Sequence, residues 1–121
     1  MCSRMRCVLA VVPLLVWSAT AAPVEHVTCP DGPYHVQPFT LVIDQNAGTI
    51  EASGAVPEPQ SVVIGPTQVE WSFMRGWAVF HRDTHMLEWD ATSQYEYGRI
   101  IGHPGPHGRD WYVGKSVCAV K

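Results

Sequence analysis

The chain of 121 residues is long enough for one domain at most, and its eight Lys and Arg against eleven Asp and Glu give a formal charge of −3. Because the chain is acidic and has no basic patch, nucleic acid and anionic membrane surfaces are not expected partners. It has no repeat of domain size and no low-complexity tail.

The first 21 residues have the pattern of a secretory signal peptide. Two early arginines precede an apolar run at residues 8–17, and the small residues at 19–21 predict cleavage after Ala21. Such a run is too short to cross a bilayer, which needs ~20 residues, so a retained anchor is the less favoured alternative. We therefore expect a periplasmic or secreted protein with no stable membrane insertion after cleavage.

Cleavage there leaves residues 22–121, which we expect to form a single β-domain. The two arginines of the signal peptide are lost, so six Lys and Arg remain against eleven Asp and Glu, and the formal charge becomes −5. The two cysteines of the mature chain, Cys29 and Cys118, are an even pair in an oxidising compartment, which predicts a disulfide between its two ends. Two free thiols, or a metal site that combines Cys with His, are the alternatives.

The first half of the mature chain predicts a lead-in, a hairpin and a short strand. Residues 22–34 are rich in Pro and Gly and are expected to be irregular. Residues 39–53 alternate apolar and polar side chains around a turn at 45–48, where Asn and Gly suit left-handed backbone angles, and this predicts a β-hairpin. Residues 60–64 form a short strand before a Gly-Pro pair.

Residues 69–92 predict a three-stranded meander that forms the core of the domain. Alternating polarity with many β-branched and aromatic side chains favours strands over a helix, because no 3.6-residue apolar stripe is present. The run at 77–80 is apolar on both faces, as expected of a central strand. The residues expected to face inward are Val69, Trp71, Phe73, Leu87 and Trp89.

The C-terminal part is less regular in pattern. Residues 93–96 resemble a capping box that could begin one helical turn, but residues 95–101 could equally form a strand. The Pro- and Gly-rich residues 102–108 exclude regular structure, and residues 111–113 and 117–120 are strand-like. The total of about seven short strands predicts an all-β fold, a small antiparallel meander forming a barrel or sandwich.

Several of these features occur in a distinctive order. A strand ends at Ile43-Asp44, Trp71 lies in an aromatic-rich meander, residues 81–87 form a turn with an Arg-x-Thr core, and Cys118 is close to the C-terminus. This order resembles a group of small exported bacterial proteins of unknown function, whose turn has the form Asp/Asn-Arg-x-Thr-Gly-x-Leu. The resemblance implies export and a β-fold, and it implies no activity.

Four histidines form two pairs with i, i+4 spacing, His81 with His85 and His103 with His107. If the 77–90 hairpin has a three-residue loop, His81 and His85 are cross-strand partners with Cβ atoms ~5 Å apart. If the loop has four residues, His81 faces Met86 and His85 lies in the turn. The resemblance favours the second register, although His81 stands where Asp or Asn is usual and His85 where Gly is usual.

The histidine count suggests a metal site. Should the 102–108 loop fold over the hairpin, four imidazoles could together hold Zn²⁺ or Cu²⁺. Solvated polar loop residues are the simpler interpretation, because no carboxylate motif completes the site.

Tryptophan suggests a second kind of site, a stacking platform for a sugar or another flat ligand. The candidates are Trp71, Trp77, Trp89 and Trp111. Their strand positions favour core packing for at least two of them.

Signals for catalysis are weak. Ser53 and Ser61 have no nucleophile-elbow context, Glu70, Glu88 and Asp90 alternate onto a solvent-exposed sheet face, and no Gly-rich loop cradles phosphate. The sequence therefore predicts a non-catalytic binding module with no cofactor and an unknown ligand or protein partner. A protein-interaction or enzyme-inhibitor role is one alternative, and a His-dependent Zn or Cu binder is another.

Overall fold

The computed structural model describes residues 23–53 and 58–121. Within these ranges the chain forms nine strands, one α-helix and two 3-10 helices. The predicted signal peptide, residues 1–21, lies outside the described residues. The strands are β1 (Glu25–Cys29), β2 (Phe39–Asp44), β3 (Thr49–Ala52), β4 (Gln60–Ile64), β5 (Gln68–Phe73), β6 (Gly76–His81), β7 (Met86–Asp90), β8 (Val113–Val117) and β9 (Ala119–Val120); helix α1 is Thr92–Ile100, and the 3-10 helices are Pro33–His35 and Arg109–Tyr112.

Four strands form one antiparallel sheet in the order β3-β2-β1-β9. The predicted hairpin at 39–53 is its β2–β3 pair, and Asp44 closes the turn. The Asp44 carbonyl accepts the N–H of Gly48 at 2.9 Å, and its carboxylate accepts the N–H of Ala47 at 3.1 Å. Gly48 has a φ of +71°, the left-handed angle that the sequence of this turn predicts.

Strand β1 corrects one prediction, because the lead-in was expected to be irregular. Residues 25–29 instead pair with both β2 and β9. Val27 and Cys29 are buried, whereas His26 and Thr28 are exposed, so the strand has the usual alternation. The signal is short, and Pro and Gly residues on both sides conceal it.

The other five strands form a second antiparallel sheet in the order β4-β5-β6-β7-β8. It contains the predicted meander, and all five residues expected to face inward are buried. His81 pairs with Met86, which confirms the hairpin with a four-residue loop. Strand β6 is central, but it is not buried on both faces: Ala78 and Phe80 are buried, whereas Trp77 is 47% exposed.

One hydrophobic core joins the two sheets, with Leu41 and Ile43 from the first and Phe80 and Trp89 from the second among its most buried members. The arrangement is a sandwich-like, all-β fold, which confirms the predicted fold class with more strands than expected. An ion pair between Arg82 in the β6–β7 loop and Glu25 in β1 also links the sheets.

The predicted disulfide between Cys29 and Cys118 is present, with Cα atoms 4.2 Å apart. Cys118 lies between β8 and β9, where the chain leaves the second sheet and enters the first, and its N–H donates to the His85 carbonyl at 2.8 Å. Cys29 is fully buried and Cys118 is 7% exposed. The bond therefore fixes the end of the chain to both sheets.

Residues 92–100 form helix α1, so the alternative of a strand over 95–101 is wrong. Asp90 starts the helix, because its Oδ1 accepts the Thr92 N–H at 2.8 Å and the Thr92 hydroxyl at 2.7 Å. Residues 93–96 do not form a capping box, because they lie inside the helix, whose N-cap is Ala91. Among the described residues no helix is long and apolar enough to cross a membrane.

Residues 102–108 are irregular, as predicted. Residues 111 and 112, expected to be strand-like, belong instead to the second 3-10 helix, which ends where β8 begins. The first turn of this 3-10 helix is closed by the hydrogen bond from the Trp111 N–H to the Gly108 carbonyl, which is 3.2 Å long.

Replacing His85 with glycine is expected to stabilise the domain by about 1 kcal/mol, because His85 has a φ of +59°, where an L side chain is strained. Thermal unfolding of H85G against the parent protein measures the gain. The neighbouring Thr84→Gly is the control: Thr84 is not among the residues with positive φ, so glycine there only adds chain entropy to the unfolded state and lowers stability. A lower melting temperature for H85G would show that φ is not the deciding factor.

Candidate functional site

The structure does not bring the four predicted metal-binding histidines together. The His81 Nε2 lies 2.8 Å from a carboxylate oxygen of Glu88, and the His85 ring lies 6.4 Å from the ring of Phe80. His103 is exposed on its loop. In the part of the chain that the structure describes, no group of three or more His, Cys, Asp or Glu side chains is placed to hold a metal ion.

The four predicted stacking tryptophans separate into three environments. Trp71 and Trp89 are core residues, 4% and 1% exposed, so their rings form no open stacking surface. Trp111 is half-buried, and the ring of His107 stacks on it at 3.9 Å with an interplanar angle of 3°. Trp77 remains, with a side chain that projects from the outer face of the second sheet.

A group of packed rings was not predicted; we call it the aromatic cluster, and its members are Tyr34, His35, Phe73, Trp111 and Tyr112. His35 is at its centre: Nδ1 lies 3.0 Å from a carboxylate oxygen of Asp31, and Nε2 lies 3.0 Å from the Trp111 carbonyl. Asp31 also accepts the N–H of Gly32 at 3.0 Å. Because both nitrogens of His35 have partners, this network ties the two 3-10 helices together.

Tyr34 fills the space beside this network. Its ring makes an edge contact with Phe73 at 5.9 Å and lies 6.1 Å from the ring of Trp111. Burial raises the pKa of the Tyr34 hydroxyl, the nearby Tyr112 raises it further, and the charge of Arg75 opposes the rise. Tyr34 therefore keeps its proton at neutral pH and acts as a packing residue.

Trp77 is surrounded by polar side chains on the outer face of the second sheet. Ser72 and Asp90 pair with it directly across the neighbouring strands. Glu70 and Glu88 are its diagonal neighbours, two residues along the same strands, within reach of an aromatic side chain. We call these five residues the Trp77 face.

A shallow depression of about 220 Å³ lies at one side of the Trp77 face. Val63 on the edge strand β4 and Trp77 on the central strand β6 form its walls, and Glu70 and Ser72 on β5 lie between them. Val63 is 58% exposed, so the depression has an apolar rim that solvent reaches. Its size is suited to one small group rather than to a whole drug-sized molecule.

The carboxylates of the Trp77 face are only partly neutralised. Glu88 pairs with His81, and Glu70 accepts a hydrogen bond from the Gln68 amide at 2.8 Å. One oxygen of Asp90 accepts the two hydrogen bonds from Thr92 at the start of helix α1. Within residues 23–53 and 58–121, neither Glu70 nor Asp90 forms an ion pair. The face therefore combines an exposed indole with unpaired negative charge.

Two larger depressions are less suited to a ligand. One of about 350 Å³ lies over the disulfide between Pro30, Pro38 and Val117, where no charged side chain is present to orient a ligand. The other, of about 510 Å³, runs along β3 and reaches Glu58 and Pro59, beside residues that the structure does not describe.

No family model, curated protein or solved structure matches this chain. The site therefore rests on its own geometry. The sequence had already placed Glu70, Glu88 and Asp90 on the solvent-exposed face of a sheet, but only the pairing of strands shows that they surround Trp77.

Proposed function

We propose that this chain is an exported, non-catalytic binding module whose ligand sits on the Trp77 face. The observation that carries the proposal is the 47% exposure of Trp77 on the central strand of a five-stranded sheet. A tryptophan supplies a large, rigid contact surface, and an exposed one beside a depression is a typical anchor for a ligand. In the aromatic cluster, by contrast, both ring nitrogens of His35 already have partners within the protein.

Export is supported by two features. A disulfide persists in oxidising compartments, and this one closes a sequence separation of 89 residues between buried cysteines. The basic and then apolar pattern of residues 1–21 is that of a secretory signal. The periplasm or the extracellular medium is therefore the proposed location, and the mature protein is proposed to begin at Ala22.

The experiment uses the full chain expressed with its own N-terminal segment. We expect mass spectrometry of protein recovered outside the cytoplasm to show a chain that starts at Ala22 with its disulfide formed. Backbone NMR spectra are then recorded with three probes, a basic peptide, an acidic peptide and cellopentaose. We expect at least one probe to shift resonances of β5, β6 and β7 around Trp77.

Trp77→Leu is the test variant and Trp111→Leu, in the aromatic cluster, is the comparison. Binding that is lost in W77L and kept in W111L supports the proposal. Shifts confined to the β3-β2-β1-β9 sheet, or no shift with any of the three probes at millimolar concentration, contradict it. A chain retained in the cytoplasm with residues 1–21 attached contradicts the export part alone.

A further inference from the structure

We propose that the Trp77 face binds the guanidinium group of an arginine side chain presented by a basic peptide or protein partner. This inference rests on the proposed function and gives its ligand a chemical class.

The Trp77 face is negatively charged. The carboxylates of Glu70, Glu88 and Asp90 all lie within one strand of Trp77, either directly opposite it or diagonally. Lys115 is the cross-strand neighbour of Glu88, and the His81 ring is hydrogen-bonded to the same carboxylate. Arg75, two residues before Trp77, lies over the ring of Tyr97 at 3.6 Å. Glu70 and Asp90 accept hydrogen bonds from the uncharged Gln68 and Thr92, and among the described residues neither forms an ion pair, so their negative charge is left for a cation.

The exposed indole of Trp77 favours a planar cation. A cation over the face of an aromatic ring is attracted by the ring quadrupole, most strongly by tryptophan, and arginine makes this contact more often than lysine. A guanidinium is planar, so it can lie on the indole while its N–H groups donate to a carboxylate at the edge. Trp77 with Glu70 on one side and Asp90 on the other offers both contacts at once.

The depression beside Trp77 matches an arginine side chain in size and shape. The depression of about 220 Å³ between Val63 and Trp77 has room for the end of one side chain. Val63 and Val79 line it and give the methylene stem of an arginine an apolar contact, as long charged side chains generally require. An anionic ligand would meet repulsion here, and a neutral sugar could donate hydrogen bonds to the carboxylates but would form no ion pair with them.

The probe is an acetylated and amidated peptide of alternating Arg and Gly with five arginines. Its counterpart carries citrulline, which has nearly the shape of arginine and no charge. Calorimetric titration of the exported protein is expected to show binding of the arginine peptide and at least a tenfold weaker response to the citrulline peptide. Affinity is also expected to fall when salt is raised from about 0.02 M to about 0.5 M.

Three variants locate the site. Trp77→Leu is expected to weaken binding by about 5-fold to 30-fold, the range that cation–π contacts support. Glu70→Gln is expected to weaken it a few-fold through the lost charge. Glu51→Gln is the matched control, since Glu51 is an exposed carboxylate on β3 in the other sheet, and its removal changes the net charge equally. Unchanged melting temperatures show that the variants fold.

The outcomes separate this inference from the proposed function. Equal affinity for the citrulline peptide, or equal losses in E70Q and E51Q, overturns arginine recognition. Binding of cellopentaose that depends on Trp77, without binding of the arginine peptide, keeps the binding face and overturns its charge selectivity. Binding of any probe that is unchanged in W77L overturns both.

Discussion

Replacing both Cys29 and Cys118 with alanine is expected to lower the free energy of unfolding by about 2–5 kcal/mol. The bond joins residues 89 apart in sequence, so it restricts nearly the whole described chain in the unfolded state. A chain-entropy argument gives roughly 4–5 kcal/mol for a loop of that length. The domain is small, and a small domain has little core to compensate for the loss. Urea unfolding monitored by tryptophan fluorescence measures the difference.

The reduced parent protein is the control for this prediction. It lacks the cross-link but keeps both sulfur atoms, so its stability separates the chain-entropy effect from the small cavities that alanine leaves in the core. We expect the reduced protein and the double alanine variant to lie within about 1 kcal/mol of each other. A double variant as stable as the oxidised protein would show that the two sheets need no link at this point.

The sequence predicted those parts of the fold that local alternation and turn chemistry determine. Val69, Trp71 and Phe73 alternate with polar residues over the five residues 69–73, and their burial confirms that they face inward. The register of the 77–90 hairpin was left open between two loop lengths, and the pairing of His81 with Met86 confirms the four-residue loop that the resemblance favoured. Periodicity of two and the length of a turn are both short-range signals.

Helix α1 and strand β1 depend on contacts that the sequence does not display. The helix begins where Asp90 accepts hydrogen bonds from Thr92, and residues 92–100 carry aromatic side chains that suit either a strand or a helix. Strand β1 is held by β2 and by the last strand of the chain, β9. The five residues of β1 do not by themselves reveal pairing with strands elsewhere in the sequence.

The sequence predicted only part of the candidate site, for the same reason. The run at 77–80 is apolar throughout, so nothing in it separates the exposed Trp77 from the buried Phe80. The assignment needs the register with β5 and β7, which places Trp77 among Ser72 and Asp90. The expected proximity of His81 and His85 depended on a three-residue hairpin loop, whereas the loop has four residues and His81 pairs with Met86.

Replacing Trp89 with alanine is expected to cost about 3–5 kcal/mol, whereas the same change at Trp77 is expected to cost no more than about 1 kcal/mol. Trp89 is 1% exposed and lies against Gly114, where a Cβ would overlap the indole. Removing the ring leaves a cavity between the sheets. Trp77 is 47% exposed, so its removal leaves no cavity in the core. Chemical unfolding of W89A and W77A gives the comparison, and similar losses for the two would contradict their placement on opposite faces of the sheet.

A third variant, Trp89→Phe, distinguishes the contribution of the ring from that of its N–H. Among the described residues the indole Nε1 of Trp89 is buried and has no hydrogen-bond partner. An unsatisfied buried donor costs about 1–3 kcal/mol, and phenylalanine removes that donor while keeping an aromatic ring against Gly114. We therefore expect W89F to lose less than half as much stability as W89A. If W89F loses as much stability as W89A, the shape of the indole ring alone determines this part of the core. Removal of the unsatisfied donor would then give no gain in stability.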